Sequence, residues 1–410
     1  MNEPASEQTA GHERASGQTA GHERASEQTA VHERASEQTA GHERASEQTA
    51  VTDSDALMTV SGLTVTFPSP DGAVEAVRGV DYTLRRGEVL GIVGESGSGK
   101  SVTSMAVMGL LPRTATITGS ITFDGRDLLT LSEDELTAVR GERIAMIFQD
   151  PMTSLNPVYT AGYQIAEAVL AHRDVSKADA RERAIELLRT VRIPNPEQRV
   201  DSYPHELSGG MRQRVVIAIA MANDPDVIIA DEPTTALDVT VQAQVLEALQ
   251  AAQRSTGAAM VLITHDLGVI AGQADRVLVM YAGKPVEVGG VEDIFYTPRM
   301  PYSLGLLGSL PRLDQQSDRL TPIPGAPPSV VNMPPGCPFS PRCPLSTDVC
   351  ETTEPDLLEV GSGHRAACHH SSQVSGAKAD DVFDAGEVDA EALEHLAALT
   401  RDASGEEVRS

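Results

Sequence analysis

Four short apolar runs, each followed immediately by polar residues, constrain the fold of this chain more than any other feature of its sequence. The runs are Val89–Val93, Ile144–Phe148, Val227–Ala230 and Met260–Ile263. From Met58 to about Val288, β-branched runs alternate with helical segments, which is typical of an α/β domain with a largely parallel sheet. Because the carboxyl ends of parallel strands meet at one edge of a sheet, we expect the polar clusters to share one crevice.

The first run leads into a complete phosphate-loop motif, G-x-x-x-x-G-K-[ST]. The motif and the residue after it are Gly94, Glu95, Ser96, Gly97, Ser98, Gly99, Lys100, Ser101 and Val102. The glycines allow backbone N–H groups to turn toward phosphates, and the following helix presents its positive N-terminus. Lys100 can reach the β- and γ-phosphates, and the Ser101 hydroxyl can bind Mg²⁺. The motif therefore predicts a nucleotide site.

The other three runs end in residues that suit phosphate chemistry. Gln149 can contact Mg²⁺ or an attacking water, and His265 can hydrogen bond to a γ-phosphate. Asp231 and Glu232 are adjacent carboxylates, which suits a division of labour in which Asp231 binds the metal and Glu232 activates water. Without the phosphate loop, an ordinary acidic turn, a surface glutamine and a structural histidine would be the better interpretations.

A second glycine-rich helix start lies between the second and third runs, in the sequence L-S-G-G-M-R-Q-R. Ser208, Gly209 and Gly210 form a helix N-terminus that is suited to phosphate. A single nucleotide does not need two such sites. The excess suggests a shared site that another subunit completes.

This series of motifs resembles the ATPases of ABC transporters. GESGSGKS, FQDP, LSGGMRQR, IIADEPTTALD and THD occur in the family's order, within residues 57–295. The resemblance implies an α/β P-loop NTPase fold of the ABC ATPase type, with a parallel sheet core, an antiparallel β subdomain and a helical subdomain. It also implies that two such domains pack head to tail, with each ATP between one phosphate loop and the partner's signature motif.

The same resemblance assigns roles to individual residues. Glu232 would be the catalytic base, His265 the switch histidine and Asp238 the D-loop aspartate. The family usually stacks adenine on an aromatic residue ahead of the phosphate loop, and Phe67 is the best candidate. A strand phenylalanine of the antiparallel subdomain is an equally good interpretation of Phe67, because an insertion makes the register unsure.

The C-terminal region resembles the extension of the oligopeptide/dipeptide-type ATPase subunits, a subgroup that also includes nickel importers. The resemblance rests on RMPYSLGLLGSLPR, PIPGAPPS and PPGCPFSPRC, and on FQDPMTSLNPVYT earlier in the chain. It implies a peptide importer with a second ATPase subunit, two membrane permeases and an extracellular substrate-binding protein. The stretch after Gln149, with Tyr159, Tyr163 and the helical segment Lys177–Arg192, would face the permeases.

The extension contains all four cysteines of the chain, Cys337, Cys343, Cys350 and Cys368. Thiolates at these positions could hold an iron–sulfur cluster or zinc, although structural zinc sites favour cysteine pairs two to four residues apart. Some members of the resembling subgroup carry a [4Fe–4S] cluster here, so we favour the cluster over zinc and over unliganded thiols. The nearby His364, His369 and His370 leave the ligand set open.

The motifs divide the chain into four regions. Residues 1–56 repeat a ten-residue polar unit and are expected to be a disordered tail, because a period of ten places no continuous stripe on a helix. Residues 57–295 form the predicted ATPase domain and residues 296–370 the extension. Residues 371–410 are acidic and are expected to be a disordered tail.

Charge and hydropathy narrow the function further. A formal net charge of −27 argues against nucleic acid as a partner, and so against a DNA-handling or translational ABC ATPase. No apolar run is long enough to span a bilayer, and no signal peptide is visible, so we expect a protein on the cytoplasmic face of the membrane. Only four of the 32 basic residues are lysines, and such an acidic, lysine-poor surface suggests a halophile.

Overall fold

A computed structural model describes residues 56–70, 72–150, 154–235, 237–310 and 321–383. The repeat-containing tail up to residue 55 and residues 384–410 lie outside the described residues, as do the expectations made for them. None of the described helices is long and apolar enough to cross a membrane.

The described residues contain twelve strands in two sheets. The strands are β1 (Ala56–Ser69), β2 (Gly72–Arg85), β3 (Val89–Val93), β4 (Thr116–Phe123), β5 (Arg126–Asp127), β6 (Ile144–Ile147), β7 (Val227–Asp231), β8 (Ala259–Thr264), β9 (Arg276–Tyr281), β10 (Lys284–Gly290), β11 (Leu358–Gly361) and β12 (His364–Ala366). The smaller sheet has the order β2-β1-β4-β5 and the larger has the order β11-β12-β10-β9-β3-β8-β7-β6.

Helices cover the larger sheet and form the segment between β6 and β7. They are α1 (Lys100–Val107), α2 (Glu133–Val139), α3 (Ala161–His172), α4 (Lys177–Thr190), α5 (Pro196–Arg199), α6 (Gly209–Ala220), α7 (Val239–Thr256), α8 (Leu267–Ala271), α9 (Val291–Tyr296), α10 (Pro301–Gly308), α11 (Asp348–Thr352), α12 (Ser371–Val374) and α13 (Ala379–Phe383). The helical segment predicted over Lys177–Arg192 corresponds to α4.

The centre of the larger sheet is parallel, as the alternating pattern predicts. β9, β3, β8, β7 and β6 are parallel neighbours in that order. Every residue of β3, β7 and β8 is buried, which explains why these strands read as continuous apolar runs. The four predicted polar clusters all follow strands of this parallel group, so they lie at one edge of the sheet.

The smaller sheet is the antiparallel subdomain. β1 and β2 pair over most of their length, and their inner residues join the core formed with one face of the larger sheet. Helices α3 to α6 form the helical subdomain. Their aliphatic side chains pack in a second core, which lies on the opposite face of the larger sheet. The predicted α/β architecture with two appended subdomains is confirmed.

The C-terminal extension is part of the larger sheet. Strand β12 pairs antiparallel with β10, and β11 pairs with β12, so the extension adds two strands to the edge of the ATPase sheet. The segment expected to be an acidic tail from residue 371 begins with the two short helices α12 and α13, which pack with α10 around Leu304, Val374 and Val382.

Candidate active site

The phosphate loop connects β3 to α1 and needs glycine at two positions for steric reasons. Gly94 has φ +156°, and a Cβ on it would lie 2.2 Å from the carbonyl oxygen of Met280. Gly99 caps α1 with φ +98°, and its Cβ would lie 2.6 Å from the carbonyl oxygen of Ala76. The loop is therefore held between β9 and β2, with its backbone close to both.

Lys100 is the first residue of α1 and is almost completely buried. Its Nζ donates hydrogen bonds to the carbonyl oxygens of Gly94 at 2.7 Å and Glu95 at 3.0 Å. Burial lowers the pKa of Lys100, while the carboxylates of Glu232, Asp231 and Glu95 act in the opposite direction. The ammonium group thus lies inside the loop, among the acidic groups at the strand ends.

Asp231 and Ser101 form the candidate Mg²⁺ site. The Ser101 hydroxyl donates a hydrogen bond to Oδ1 of Asp231 at 3.1 Å, and Asp231 is buried at the end of β7. Burial raises the pKa of Asp231, partly offset by the hydrogen bond from Ser101. A hydroxyl and a carboxylate side by side are hard oxygen ligands of the type that Mg²⁺ prefers, so the donor chemistry fits.

Glu232 is held by three side chains. Its Oε2 accepts hydrogen bonds from Nε2 of Gln149 and Oγ1 of Thr235, both at 2.8 Å, and Nδ1 of His265 lies 3.3 Å from Oε1. Burial raises the pKa of Glu232, but the hydrogen bonds from Thr235 and His265 outweigh it, and the net pKa is lowered. Its φ of +46° is unusual for a residue that is not glycine, and such strain often accompanies function. The carboxylate is thereby kept ionised and oriented.

The three predicted catalytic residues, Glu232, His265 and Gln149, therefore lie together, but Gln149 differs from the prediction in what it contacts. Gln149 contacts Glu232 through its amide nitrogen, whereas the sequence also assigned it to the metal site. Thr235 was not predicted from the sequence, although it lies three residues after Glu232 in the same motif.

The signature residues lie apart from this cluster. Ser208 caps α6 by accepting a hydrogen bond from the backbone N–H of Met211, and a Cβ on Gly210 would lie 2.3 Å from Cγ1 of Val241. Within the described residues, no hydrogen bond joins Ser208, Gly209 or Gly210 to the phosphate loop. Asp238 caps α7 and is exposed.

Phe67 lies in β1 opposite Val74 of β2 and is partly buried against the core. Ala76, two residues beyond Val74, is the residue whose carbonyl lies against Gly99 of the phosphate loop. Phe67 is thus in the hairpin that borders the loop, and its role in adenine stacking stays a prediction.

The C-terminal extension contacts the phosphate loop, which was not predicted from the sequence. The hydroxyl of Tyr302 accepts a hydrogen bond from the backbone N–H of Glu95 at 2.8 Å. The guanidinium of Arg342 donates to both carboxylate oxygens of Glu95, at 2.7 and 2.9 Å. The only local signal is the position of Arg342 immediately before Cys343.

The four cysteines are unpaired thiols in one segment, and Cys337 and Cys350 are buried. The backbone N–H of Cys337 donates to the carbonyl oxygen of Cys350 at 2.7 Å, and the N–H of His370 donates to Sγ of Cys368 at 3.3 Å. Burial raises the pKa of Cys343 and of Cys368 to about 12, and the neighbouring thiols act in the same direction. Among the described residues, however, no three histidine, cysteine, aspartate or glutamate side chains are arranged to hold a metal ion.

The ring Nε2 atoms of the three nearby histidines contact groups other than the thiols. Nε2 of His364 lies 2.8 Å from Oε1 of Glu287, that of His369 lies 3.0 Å from the carbonyl oxygen of Thr353, and that of His370 lies 2.8 Å from Oγ1 of Thr347. Cysteine thiols are thus the principal candidate ligands in this segment.

Comparisons with known proteins agree with this arrangement. The family described as ABC transporter matches residues 77–235, and the family described as the oligopeptide/dipeptide transporter C-terminal region matches residues 286–350. The oligopeptide transport ATP-binding protein OppD of Escherichia coli is 52% identical over 319 residues, which cover 78% of this chain and 94% of that protein.

OppD of Mycobacterium tuberculosis is 57% identical over 329 residues, which cover 80% of this chain and 54% of that protein. This chain thus spans about half the length of its mycobacterial relatives. Among solved structures, a dimeric ATP-binding cassette bound to ADP and Pi superimposes with a TM-score of 0.51 and 28% identity, covering 57% of this chain and 98% of that one.

The parallel sheet, the phosphate loop and the separate signature helix define the ATP-binding cassette class of P-loop NTPases. With the C-terminal match added, the chain belongs to the ATP-binding proteins of the oligopeptide/dipeptide ABC transporter family.

Proposed function

We propose that this chain binds and hydrolyses ATP with Mg²⁺ and thereby powers peptide import through membrane partners. The observation that carries the proposal is the Glu232 carboxylate, ionised and held by three side chains, next to the pair of Asp231 and Ser101. The names of the relatives support the peptide cargo.

In the proposed reaction each residue performs one task. The phosphate loop and Lys100 bind the β- and γ-phosphates, while Ser101 and Asp231 hold Mg²⁺, with Gln149 nearby. Bound Mg²⁺ neutralises charge on the phosphates. Glu232 accepts a proton from the attacking water, and His265, in contact with Glu232, hydrogen bonds to the γ-phosphate.

Substitution of the base tests this proposal. Glu232→Gln keeps the shape of the side chain but removes the proton acceptor, so ATP should stay bound while steady-state hydrolysis is abolished. Lys100→Ala is the matched variant, because it should lose ATP binding itself. Retained turnover in Glu232→Gln would show that Glu232 is not the base.

The second half of the site is proposed to come from a partner ATPase subunit. Ser208, Gly209 and Gly210 start α6 away from the phosphate loop of their own chain, and the solved relative with ADP and Pi is a dimer. Head-to-tail association would bring the partner's signature helix to the γ-phosphate, with Asp238 at the interface. ATP-dependent dimerisation of Glu232→Gln with its partner, measured by sedimentation, tests this.

The proposed permease-facing surface is on the helical subdomain. Tyr159 and Tyr163 are 43% and 49% exposed and stack with ring centroids 4.6 Å apart. Beside them an open groove of about 370 Å³ is lined by Leu170, Lys177 and Arg181, among others. This surface would place the chain on the cytoplasmic face of the membrane. ATPase stimulation by permeases reconstituted with a binding protein and peptides, but not nickel, would support the peptide cargo.

For the cysteine segment we propose a [4Fe–4S] cluster, with zinc as the alternative. Four thiols in one segment have the donor chemistry for a cluster, but among the described residues no three of them are arranged around one metal position, so binding would have to draw them together. The backbone N–H of His370 donates to Sγ of Cys368, as hydrogen bonds to cluster sulfurs do. Such a cluster would cross-link the cysteine segment and hold it in one conformation. Iron, sulfide and zinc analysis of anaerobically purified protein separates the two metals from unliganded thiols.

The boundary predicted near residue 295 separates two groups of motifs and stays a prediction as a domain boundary. We also propose that the protein is adapted to high salt. The salt proposal rests on 59 acidic against 32 basic residues. Screening by salt would reduce their repulsion, so the melting temperature should rise with KCl concentration. Equal stability in dilute buffer would contradict it.

A further inference from the structure

The extension contributes a buried arginine to the phosphate loop. We propose that Arg342 neutralises Glu95, and that this neutralisation is required for the loop to bind a polyphosphate tightly. The inference rests on the proposed function, because it concerns the same ATP site. It assigns Arg342 as a positioning residue that acts through Glu95.

Arg342 is fixed in place by several contacts. Its side chain is 4% exposed, and its two terminal nitrogens donate to the two carboxylate oxygens of Glu95. Nη1 also lies 3.2 Å from the hydroxyl of Tyr281, and Nε donates to the carbonyl oxygen of Pro324 at 2.9 Å. A paired, planar contact of this kind sets both the position and the charge of its carboxylate partner.

Glu95 places a negative charge in a loop that binds anions. Its backbone carbonyl accepts a hydrogen bond from Nζ of Lys100, and its carboxylate attracts the same ammonium group electrostatically. Without Arg342, the negative charge of Glu95 would repel the phosphates and compete with them for Lys100. With Arg342 in place, the charge of Glu95 is balanced and Lys100 is left to the ligand.

The alternative is that Arg342 only attaches the extension to the ATPase domain. Under that alternative, loss of the ion pair lowers stability without a specific effect on phosphate binding, so the ATP and ADP affinities change equally, even though neutralising Glu95 as well would recover part of the stability. A second arginine, Arg276, serves as the control for effects that follow from the loss of any arginine ion pair in this domain. Arg276 pairs with Glu88 at 2.8 Å, at the opposite end of β3 from the phosphate loop.

The test uses the full chain with Glu232→Gln, so that bound ATP is not consumed, and calorimetric titration with Mg·ATP and Mg·ADP. Arg342→Gln should weaken ATP binding about tenfold, equivalent to about 1.4 kcal/mol. It should weaken ADP binding less, because ADP carries less charge. Arg342→Lys retains the charge and should lose less affinity than Arg342→Gln. Arg276→Gln should change ATP affinity less than about twofold.

The decisive variant combines Arg342→Gln with Glu95→Gln. We expect its ATP affinity to return to within about threefold of the parent, because the unbalanced charge is gone. If the double variant binds ATP as weakly as Arg342→Gln, or if Arg342→Gln weakens ATP and ADP equally, the proposal is overturned. If Arg342→Gln fails to fold, Arg342→Lys provides the test, because it keeps a cation but not the paired contact: its ATP affinity should fall more than its ADP affinity, and an unchanged ATP affinity or an equal fall in both would overturn the proposal.

The parent protein of these titrations is the full chain with Glu232→Gln alone, and its ATP binding separates this inference from the proposed function. A parent that binds no ATP contradicts both. A parent that binds ATP, and loses it with Lys100→Ala but not with Arg342→Gln, contradicts the inference alone.

Discussion

Removal of the His364 side chain should destabilise the junction between the extension and the ATPase sheet. His364 lies in β12 and Glu287 in β10, and the two are 3% and 0% exposed. Oε1 of Glu287 contacts Nε2 of His364 at 2.8 Å and accepts the backbone N–H of Arg299 at 2.5 Å. In His364→Ala the buried carboxylate would keep only the backbone donor.

The expected size follows from the burial of the pair. Breaking one side of a buried ion pair or hydrogen bond leaves a desolvated partner, which costs about 3 kcal/mol here. For a folded region of this size, 1 kcal/mol corresponds to about 1.5 to 2 °C, so the melting temperature should fall by about 5 °C. Because the chain contains no tryptophan, scanning calorimetry is the suitable assay.

Two further variants decide whether loss of the buried pair causes the lower melting temperature. His369 is exposed in the same segment, so His369→Ala should shift the melting temperature by less than about 1 °C. Adding Glu287→Gln to His364→Ala should recover part of the loss, because a neutral amide costs less to bury than a carboxylate. If both histidine variants shift the temperature equally, the buried pair does not stabilise the junction.

Three other substitutions have directions that the contacts predict. Thr235→Val removes a hydrogen bond that lowers the pKa of Glu232, so the acidic limb of the pH profile of kcat should move to higher pH. An acidic limb that stays in place would show that Thr235 does not control the ionisation of Glu232. Gly210→Ala should lower the free energy of unfolding, measured by chemical denaturation, by about 1–3 kcal/mol, because its Cβ would overlap Val241. Adding Val241→Ala should restore most of that loss, and no recovery would show that this overlap is not the cause. Gly336→Ala would place a Cβ 2.2 Å from a carbonyl oxygen within the cysteine segment and should lower the melting temperature, whereas an unchanged value would show that the segment can move aside.

The phosphate site could be predicted because its parts are local in sequence. The strands β3, β6, β7 and β8 correspond to apolar runs, and the chemistry-bearing residue follows each run within a few positions. Parallel pairing then brings Lys100, Asp231 and Glu232 to one edge without any further information. The roles of Thr235 and of the Gln149 amide depend on side-chain rotamers, which no spacing in the sequence specifies.

The contacts of the extension could not be predicted in the same way. Arg342 and Glu95 are separated by 247 positions, and neither residue alone differs from an ordinary charged residue. Strands β11 and β12 have four and three residues, too short to show alternation. Their place at the sheet edge follows from pairing with β10, which is a tertiary contact.

These contacts bear on where the catalytic unit ends. The motifs place a boundary near residue 295, but Tyr281 before it packs on Tyr302 and Phe339 after it, with ring centroids 4.5 and 5.4 Å apart. Tyr302 binds the backbone of the phosphate loop, and β12 covers the edge of β10. A chain cut at residue 295 would expose this aromatic cluster and a sheet edge, and it would free the phosphate loop on one side. The extension is therefore better regarded as part of the ATPase domain than as an addition to it.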